Sequence, residues 1–242
     1  MQAQQALDTL LQARNEVGKK VALYPYGSFR NLTYLNDLVA DQRVEFKDLI
    51  SNKRILDIGC GDGDMAFLCE MLGAREVAAI DWADTNFNFM QGVRTLRDQL
   101  HSKIHIMSGN LEDMDMSFLG IWDMILFLGT LYHLPNPVRV LRKLSVIAAQ
   151  IFSSTRVFDV LPGDTKSKLS NRQVGYLVTP VEANNDNTNW WILSEPAVKV
   201  MFERSGWRVL ASRRTDHLVG AAEPADPKKD GRMFLSAHSV YL

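Results

Sequence analysis

Three glycines at alternate positions carry the clearest chemical signal in this chain of 242 residues. Gly59, Gly61 and Gly63 follow directly on an apolar run, in the stretch ILDIGCGDG at positions 55–63. Because glycine permits positive φ and has no Cβ, the main chain can turn sharply here and come into contact with a ligand. The stretch therefore predicts that a nucleotide-type ligand lies against bare backbone at the end of a buried strand.

The spacing of the glycines distinguishes between two kinds of ligand. The dinucleotide fingerprint Gly-x-Gly-x-x-Gly requires a glycine at position 64, where this chain has Asp64. Asp57, just before the glycines, can hold a cationic ammonium group, whereas an anion site would not favour this carboxylate. The stretch resembles motif I of the class I S-adenosylmethionine (AdoMet) dependent methyltransferases, whose cofactor carries an amino acid and a sulfonium but no phosphate. The resemblance implies that the cofactor contacts Asp57, Gly59, Cys60, Gly61 and Gly63.

A second predicted strand ends in an acid at the spacing where such folds bind ribose. Residues 76–80 (EVAAI) are followed by Asp81, about 20 residues beyond the glycines. A carboxylate accepts two hydrogen bonds from a vicinal diol, so Asp81 is predicted to hold the ribose hydroxyls. Trp82 offers an aromatic face for the adenine, although ordinary packing explains this residue equally well.

The third and fourth predicted strands lead into two further segments that resemble the family. Residues 104–107 precede SGNLED, similar to its Gly-Asp-x-x-Asp segment, in which Asn110 stands for the usual acid. The Asn110 carbonyl can accept from the adenine amine, while the backbone N–H of Leu111 would donate to a ring nitrogen. Residues 122–128 (WDMILFL) end in Leu128, a further expected cofactor contact.

The segment after the fourth strand, GTLYHLP at positions 129–135, is similar to a stretch containing Gly and His in many family members. His133 follows the strand close to where the resemblance places the methyl group. An imidazole pKa of about 6.5 suits a general base for a hydroxyl or a protonated amine. A structural histidine that hydrogen-bonds a loop is the alternative. Tyr132 is the second candidate for a catalytic role.

The residues before the glycines predict a helical arm. Apolar residues recur at helical spacing over positions 3–17, and Gly18 closes this helix. The turn-rich segment LYPYGSFR at 23–30 follows. The resemblance implies an arm that closes over AdoMet, and Tyr24 or Tyr26 would suit a sulfonium because aromatic faces attract cations. Packing of the arm is the alternative for both rings. We expect residues 1–50 to form this arm or lid and residues 51–242 the AdoMet-binding domain.

Alternating strand and helix patterns between positions 54 and 157 predict a parallel sheet covered on both faces. The resemblance implies an α/β, Rossmann-like class I methyltransferase fold with a seven-stranded, mostly parallel sheet. Residues 207–212 and 233–241 are expected to supply its last two strands as an antiparallel pair. A helix is predicted from 196 to 204, capped by Ser194.

Residues 158–193 interrupt the alternation with Pro, Gly, Asn and Asp, which indicates an inserted cap on the substrate side. Trp190, Trp191 and Asn187 could form a substrate wall with polar handles, since ligand sites combine apolar surface with a few hydrogen bonds. Asn-rich loops are also simply good turns.

Composition narrows the class of partner. A net charge of −1 and a pI near 6.5 give no basic field, which argues against a nucleic acid as the main partner. A small-molecule substrate is therefore expected. The sequence has no apolar leader and no run of membrane-spanning length, so we expect a cytoplasmic protein without membrane contact. Its two cysteines, Cys60 and Cys69, lack metal-ligand spacing, and we interpret both as reduced.

The favoured function is methyl transfer from AdoMet to an unidentified acceptor by direct displacement, which requires no covalent enzyme intermediate. The LYPY arm, the Tyr132–His133 segment and the insertion also resemble the tRNA wobble-uridine carboxymethyltransferases. That alternative requires a cation for the extra carboxylate of carboxy-AdoMet, which Arg30 could supply, and a basic surface for tRNA. A non-catalytic AdoMet-binding protein is the third possibility. Two clusters could contact phosphate or be solvated: Arg208, Arg213 and Arg214; Lys228, Lys229 and Arg232.

Overall fold

A computed structural model describes residues 3–160, 169, 171–181, 185–215 and 230–242 of the chain. Seven α-helices and nine strands lie in these ranges. The helices are α1 Ala3–Val17, α2 Asn31–Val39, α3 Phe46–Ile50, α4 Asp64–Met71, α5 Gln91–Leu100, α6 Pro137–Ser145 and α7 Glu195–Arg204. The strands are β1 Arg54–Ile58, β2 Glu76–Asp81, β3 His105–Ser108, β4 Trp122–Leu128, β5 Ala148–Phe158, β6 Gly175–Leu177, β7 Trp191–Leu193, β8 Trp207–Thr215 and β9 Asp230–Ser239.

One mixed sheet runs through the molecule. Strands β3, β2, β1, β4 and β5 are parallel neighbours in that order, β9 pairs antiparallel with β5, and β8 pairs antiparallel with β9. These seven strands are the predicted sheet, and the α/β class expected from the sequence is confirmed. The strand count differs from the prediction because the insertion adds β6 and β7.

The two extra strands form because β5 is longer than its neighbour β4. Residues 148–154 of β5 face β4, so the same edge is available beyond Ser154. Leu193 of β7 pairs with Val157 there, and β6 pairs antiparallel with β7. The insertion is thereby fixed at the carboxyl ends of the central strands, where open α/β sheets bind their ligands.

The sheet separates two apolar cores. Side chains alternate along β1, so that Ile55 lies in the core beneath α1 to α5, while Leu56 and Ile58 lie in the core beneath α6 and α7. Both faces of a parallel sheet must be covered, which explains the continuous burial of the central strands. The described chain has no helix long and apolar enough to cross a membrane.

The helical arm packs on the first of these cores. Helix α1 buries Ala6, Leu10, Ala13 and Val17, one side of the predicted helix, and contacts α4 and α5. Helix α7 begins as its sequence predicted: Ser194 Oγ accepts from the Ala197 N–H at 3.4 Å.

Candidate active site

The glycine stretch forms a tight loop between β1 and α4, and all three glycines have positive φ. A Cβ on Gly59 would lie 2.0 Å from Thr130 Oγ1, so this glycine allows the loop to approach the segment after β4. A Cβ on Gly61 would meet nothing within 4 Å among the described residues. The backbone of Gly61 therefore faces open space that a ligand can occupy.

Asp57, at the end of β1, carries an unsatisfied carboxylate oxygen. The residue is 3% exposed, and its Oδ2 has no hydrogen-bond partner in the described part of the chain. Burial, with a smaller contribution from the charge of Asp81, raises the pKa of Asp57 to about 7. A buried acceptor without a donor is costly, and a cationic group beside it would relieve that cost. The geometry therefore fits the ammonium group predicted for this position.

Asp81 holds the glycine loop from the end of β2. Its Oδ2 accepts from Gly61 N at 2.7 Å and from Asn86 Nδ2 at 3.1 Å, and its Oδ1 accepts from Trp82 N at 2.7 Å. Burial raises the pKa of Asp81, while the hydrogen bonds from Gly61, Asn86 and Trp82 oppose this shift. Oδ1 keeps an acceptor position that a ribose hydroxyl could use. The Trp82 side chain is 38% exposed, so its ring face is accessible.

The segment after β3 lies beside Asp81, because the Gly109 N–H donates to the Asp81 carbonyl at 3.0 Å. The Asn110 side chain closes its own turn: Nδ2 donates to Asp113 at 2.9 Å, and Oδ1 accepts from Glu112 N at 3.0 Å. The side-chain oxygen Oδ1 of Asn110 has one acceptor position left for an adenine amine. Leu111 is buried, and Leu128, at the carboxyl end of β4, is half-buried.

The arm reaches the glycine loop through Tyr24. The Tyr24 N–H donates to Asp62 at 2.5 Å, and the Tyr24 ring lies edge-on to Tyr26 and Phe87. Burial raises the pKa of Tyr24, with a smaller contribution from the Tyr132 phenol in the segment after β4. Tyr26 is 37% exposed. Arg30 is exposed, and no described contact joins its side chain to the glycine loop or to the segment after β4.

The two candidate catalytic residues lie side by side after β4, with ring centroids 4.3 Å apart. His133 Nδ1 lies 2.8 Å from Thr188 Oγ1 in the cap. Burial lowers the pKa of His133, while the charge of Asp186 and a hydrogen bond to the Thr188 backbone oppose this shift. A lowered pKa favours the neutral imidazole, which is the form that a general base requires.

Arg232 is a site residue that the sequence placed wrongly among surface contacts. It is 1% exposed on β9, where Nη1 donates to Ser154 Oγ at 3.2 Å and Nη2 lies 3.4 Å from the Tyr132 hydroxyl. Its Nε has no partner, and no carboxylate among the described residues pairs with it. The sequence contains one sign that Arg232 is buried, because this arginine directly precedes the apolar run MFLSA. Its neighbours Ser154 and Tyr132 are distant in sequence, so the pattern could not show what Arg232 contacts. Lys228 and Lys229 lie outside the described residues.

The two cap tryptophans do not form one wall. The Trp190 side chain is 44% exposed, and the Trp190 backbone N–H donates to the Tyr132 backbone carbonyl at 2.8 Å. The Trp191 indole N–H donates to the Pro135 carbonyl at 3.1 Å, and this ring lines a groove beside α6. Trp190 directly precedes β7, and Trp191 is the first residue of that strand. Successive side chains of an extended segment point to opposite faces, which separates the two rings. Asn187 is exposed and lies in the chain between Asp186 and Thr188.

Comparison with known proteins gives the chain a family context. A family model described as "Methyltransferase domain" matches residues 28–212. The ubiquinone biosynthesis O-methyltransferase of Vibrio campbellii is 26% identical over 132 residues, which cover 53% of this chain and 54% of that protein. The tRNA U34 carboxymethyltransferase of Colwellia psychrerythraea is 23% identical over 207 residues, which cover 82% of this chain and 58% of that protein. The chain thus spans little more than half the length of these two relatives.

A solved structure extends the likeness to the whole fold. The N-terminal domain of EvdMO1 with SAH bound matches with a TM-score of 0.58 and 18% identity, and the match covers 96% of each chain. This likeness establishes a shared fold.

Proposed function

Because this chain belongs to the methyltransferase-domain family, as its sequence predicted, we propose that it transfers the methyl group of AdoMet to a small-molecule acceptor. The observation that carries the proposal is the buried Oδ2 of Asp57, which has no hydrogen-bond partner among the described residues, four positions before the open backbone of Gly61. An anion at this position would face a carboxylate, whereas the amino-acid end of AdoMet offers an ammonium group.

The described residues divide between the two ends of such a ligand. Asp57 and the glycine loop would hold the amino-acid portion, and Asp81 the ribose. Asn110 and the Leu111 N–H would pair with the adenine beside the Trp82 ring. Bound AdoMet supplies an electrophilic methyl group on a sulfonium. Tyr24 of the arm would cover the sulfonium.

On the acceptor side, His133 would take the proton of the nucleophile while Tyr132 and the arm exclude water. The pairing of two arginines of the predicted basic cluster with carboxylates supports a small acceptor. Arg213 pairs with Asp41 at 2.6 Å, and Arg214 with Asp159 and Glu195, so this cluster adds little field for a polyanion.

Calorimetric titration with AdoMet and NAD, on the wild type and on Asp81→Ala, tests the cofactor. We expect micromolar AdoMet binding that weakens about 100-fold in the variant, because a ribose hydroxyl and the Gly61 N–H lose their acceptor. The exposed Asp98→Ala on α5 is the matched control and should bind like the wild type. Binding of NAD without AdoMet would reject the proposal.

A second candidate donor is favoured by one observation. Arg232 is a buried guanidinium with no described carboxylate partner, and it contacts the Tyr132 hydroxyl. A buried charge is normally paired, so an anionic group of a ligand would suit this position. Carboxy-AdoMet carries such a group, and the Colwellia relative is named a carboxymethyltransferase. Arg232, rather than the exposed Arg30, would be its cation.

Titration with carboxy-AdoMet distinguishes the two donors. If carboxy-AdoMet is the donor, it should bind more tightly than AdoMet, and Arg232→Met should weaken only carboxy-AdoMet, by about 10- to 100-fold. The exposed Arg204→Met on α7 is the control. Equal affinity for both donors in the wild type, unchanged in Arg232→Met, would leave AdoMet as the donor.

A further inference from the structure

One cap residue, Thr188, contacts the proposed base, and a second, Asp186, contacts Thr188. We infer that Thr188 and Asp186 are positioning residues that fix His133 as the Nδ1–H tautomer, which leaves Nε2 to receive the acceptor's proton. This inference rests on the proposed function, because it assigns residues that serve the same reaction.

Three contacts form a chain from the cap to the imidazole. Thr188 Oγ1 lies 2.5 Å from Asp186 Oδ1 and 2.8 Å from His133 Nδ1. Asp186 Oδ1 also accepts the Thr188 backbone N–H at 2.9 Å, which fixes the turn that presents the hydroxyl. The donation from Trp190 N to the Tyr132 carbonyl ties the same part of the cap to the base's own loop.

The donor and acceptor roles follow from the chemistry of the three groups. A hydroxyl has a single proton, and a carboxylate can only accept. The Thr188 proton is therefore directed to Asp186 Oδ1, and Thr188 Oγ1 can only accept from His133. Nδ1 must then carry the imidazole proton, and Nε2 carries the lone pair. Nε2 has no hydrogen-bond partner among the described residues.

Charged and titratable groups from three elements face this base. Asp186 lies in the cap, Arg232 lies on β9, and the Tyr132 ring lies 4.3 Å from the imidazole, tilted by 43°. Tyr132, Arg232 and Asp186 also influence the pKa of Tyr24 in the arm, which places these groups in one electrostatic neighbourhood. Burial and Arg232 disfavour the imidazolium, whereas Asp186 favours it. The chain through Thr188 thus supports the imidazolium when His133 has taken a proton.

The arrangement suits an acceptor whose nucleophilic atom carries a proton, such as a hydroxyl or an amine. The O–H or N–H bond of the acceptor breaks and its proton moves to Nε2. The freed electron pair forms the bond to the methyl carbon, and the electron pair of the S–C bond remains on sulfur. The Nδ1 proton stays between His133 and Thr188 throughout.

Nitrogen-15 NMR of histidine-labelled protein tests the assignment without any acceptor, with His133→Gln identifying the signal. The expected wild-type result is protonated Nδ1 at pH 8. Thr188→Val should abolish this preference, and Thr188→Ser should restore it. Asp186→Asn should lower the pKa of His133, because it removes the charge that favours the imidazolium. Thr9→Val on α1 is the matched control, because Thr9 is exposed and its hydroxyl bonds only its own helix.

A wild-type His133 protonated on Nε2, or a tautomer that Thr188→Val leaves unchanged, would overturn the inference. The result does not depend on the cofactor. Failure of the wild type to bind AdoMet would remove the proposed function while the tautomer measurement still gave its own answer. Circular dichroism melts show whether each variant is folded.

Discussion

At the scale of single residues, the ionisation of Asp57 depends on the burial of its carboxyl group and, under the proposed function, on the bound ligand. An ordinary aspartate has a pKa of about 3.9, whereas burial raises the pKa of Asp57 to about 7. Between these two values the folded chain binds more protons than the unfolded chain. The contribution of Asp57 to the free energy of unfolding is therefore fully present below about pH 4 and is lost as the pH rises through 7.

A bound ammonium group reverses the preference of Asp57 for its neutral form. The cation stabilises the carboxylate and lowers the pKa of Asp57 in the complex. Free protein at pH 6 holds a proton on Asp57 that the complex does not hold. Binding then releases that proton, and the affinity rises with pH until Asp57 is ionised in the free protein.

Arg232 and Asp57 show the same principle with opposite charges. Each is almost completely buried, and each has a polar atom without a partner among the described residues. Such groups are rare in native interiors and call for a specific explanation. Under the proposed function, a ligand with a cationic group at the end of β1 would explain Asp57, and an anionic group near Tyr132 would explain Arg232 if the donor is carboxy-AdoMet.

At the scale of elements, the arm is held to the residues of the glycine loop and the start of α4 by ionic contacts and hydrogen bonds. Arg14 of α1 donates to Asp64 Oδ1 at 2.5 Å and to the Tyr24 carbonyl at 2.8 Å. Asp64 also accepts from the Ser28 N–H, and Asp62 from the Tyr24 N–H. Burial raises the pKa of Asp64 and Arg14 opposes that shift. The residues just after the glycines thus hold the segment that carries Tyr24.

Replacing Arg14 tests whether this fastening serves the ligand. Arg14→Met leaves the buried Asp64 without its cation, so we expect a loss of about 3 kcal/mol in the free energy of unfolding. Binding of AdoMet should weaken about ten-fold, because the Tyr24 segment must be ordered during binding. Denaturant unfolding and calorimetry measure the two effects.

Two further variants separate the role of the arm from general stability. Arg14→Lys keeps the charge and should recover most of both losses. Arg97→Met, at an exposed pair with Asp98 on α5, should change stability by less than about 0.5 kcal/mol. An Arg14→Met protein that binds AdoMet like the wild type would show that the arm takes no part in binding.

At the scale of the whole molecule, the sequence predicted what local patterns determine. Apolar runs gave the strands near their observed bounds, and the glycine spacing located the loop between β1 and α4. The positions of Asp57 and Asp81 at the ends of β1 and β2 could be predicted because each acid lies within its own apolar run or directly after it. Parallel topology then brings their carboxyl ends to the same edge.

The parts that the sequence did not predict depend on contacts between distant segments. Tyr132 and Arg232 are 100 residues apart, and His133 and Thr188 are 55 apart. The placement of Arg232 requires knowing that β9 inserts beside β5 with its first residues near Tyr132. The separation of Trp190 from Trp191 requires the pairing of β7 with β5, which follows from the extra length of β5. No periodicity in the chain encodes these distances.

The most direct test of the account is a calorimetric titration of the wild-type protein with AdoMet at pH 6 and pH 7, each in two buffers of different ionisation enthalpy. A pKa of about 7 for Asp57 predicts about five-fold tighter binding at pH 7 than at pH 6, with close to one proton released at pH 6. Asp57→Asn should bind weakly, with no release at either pH. Equal affinity at both pH values, no proton release and an unaffected Asp57→Asn variant would contradict the role given to this buried carboxylate.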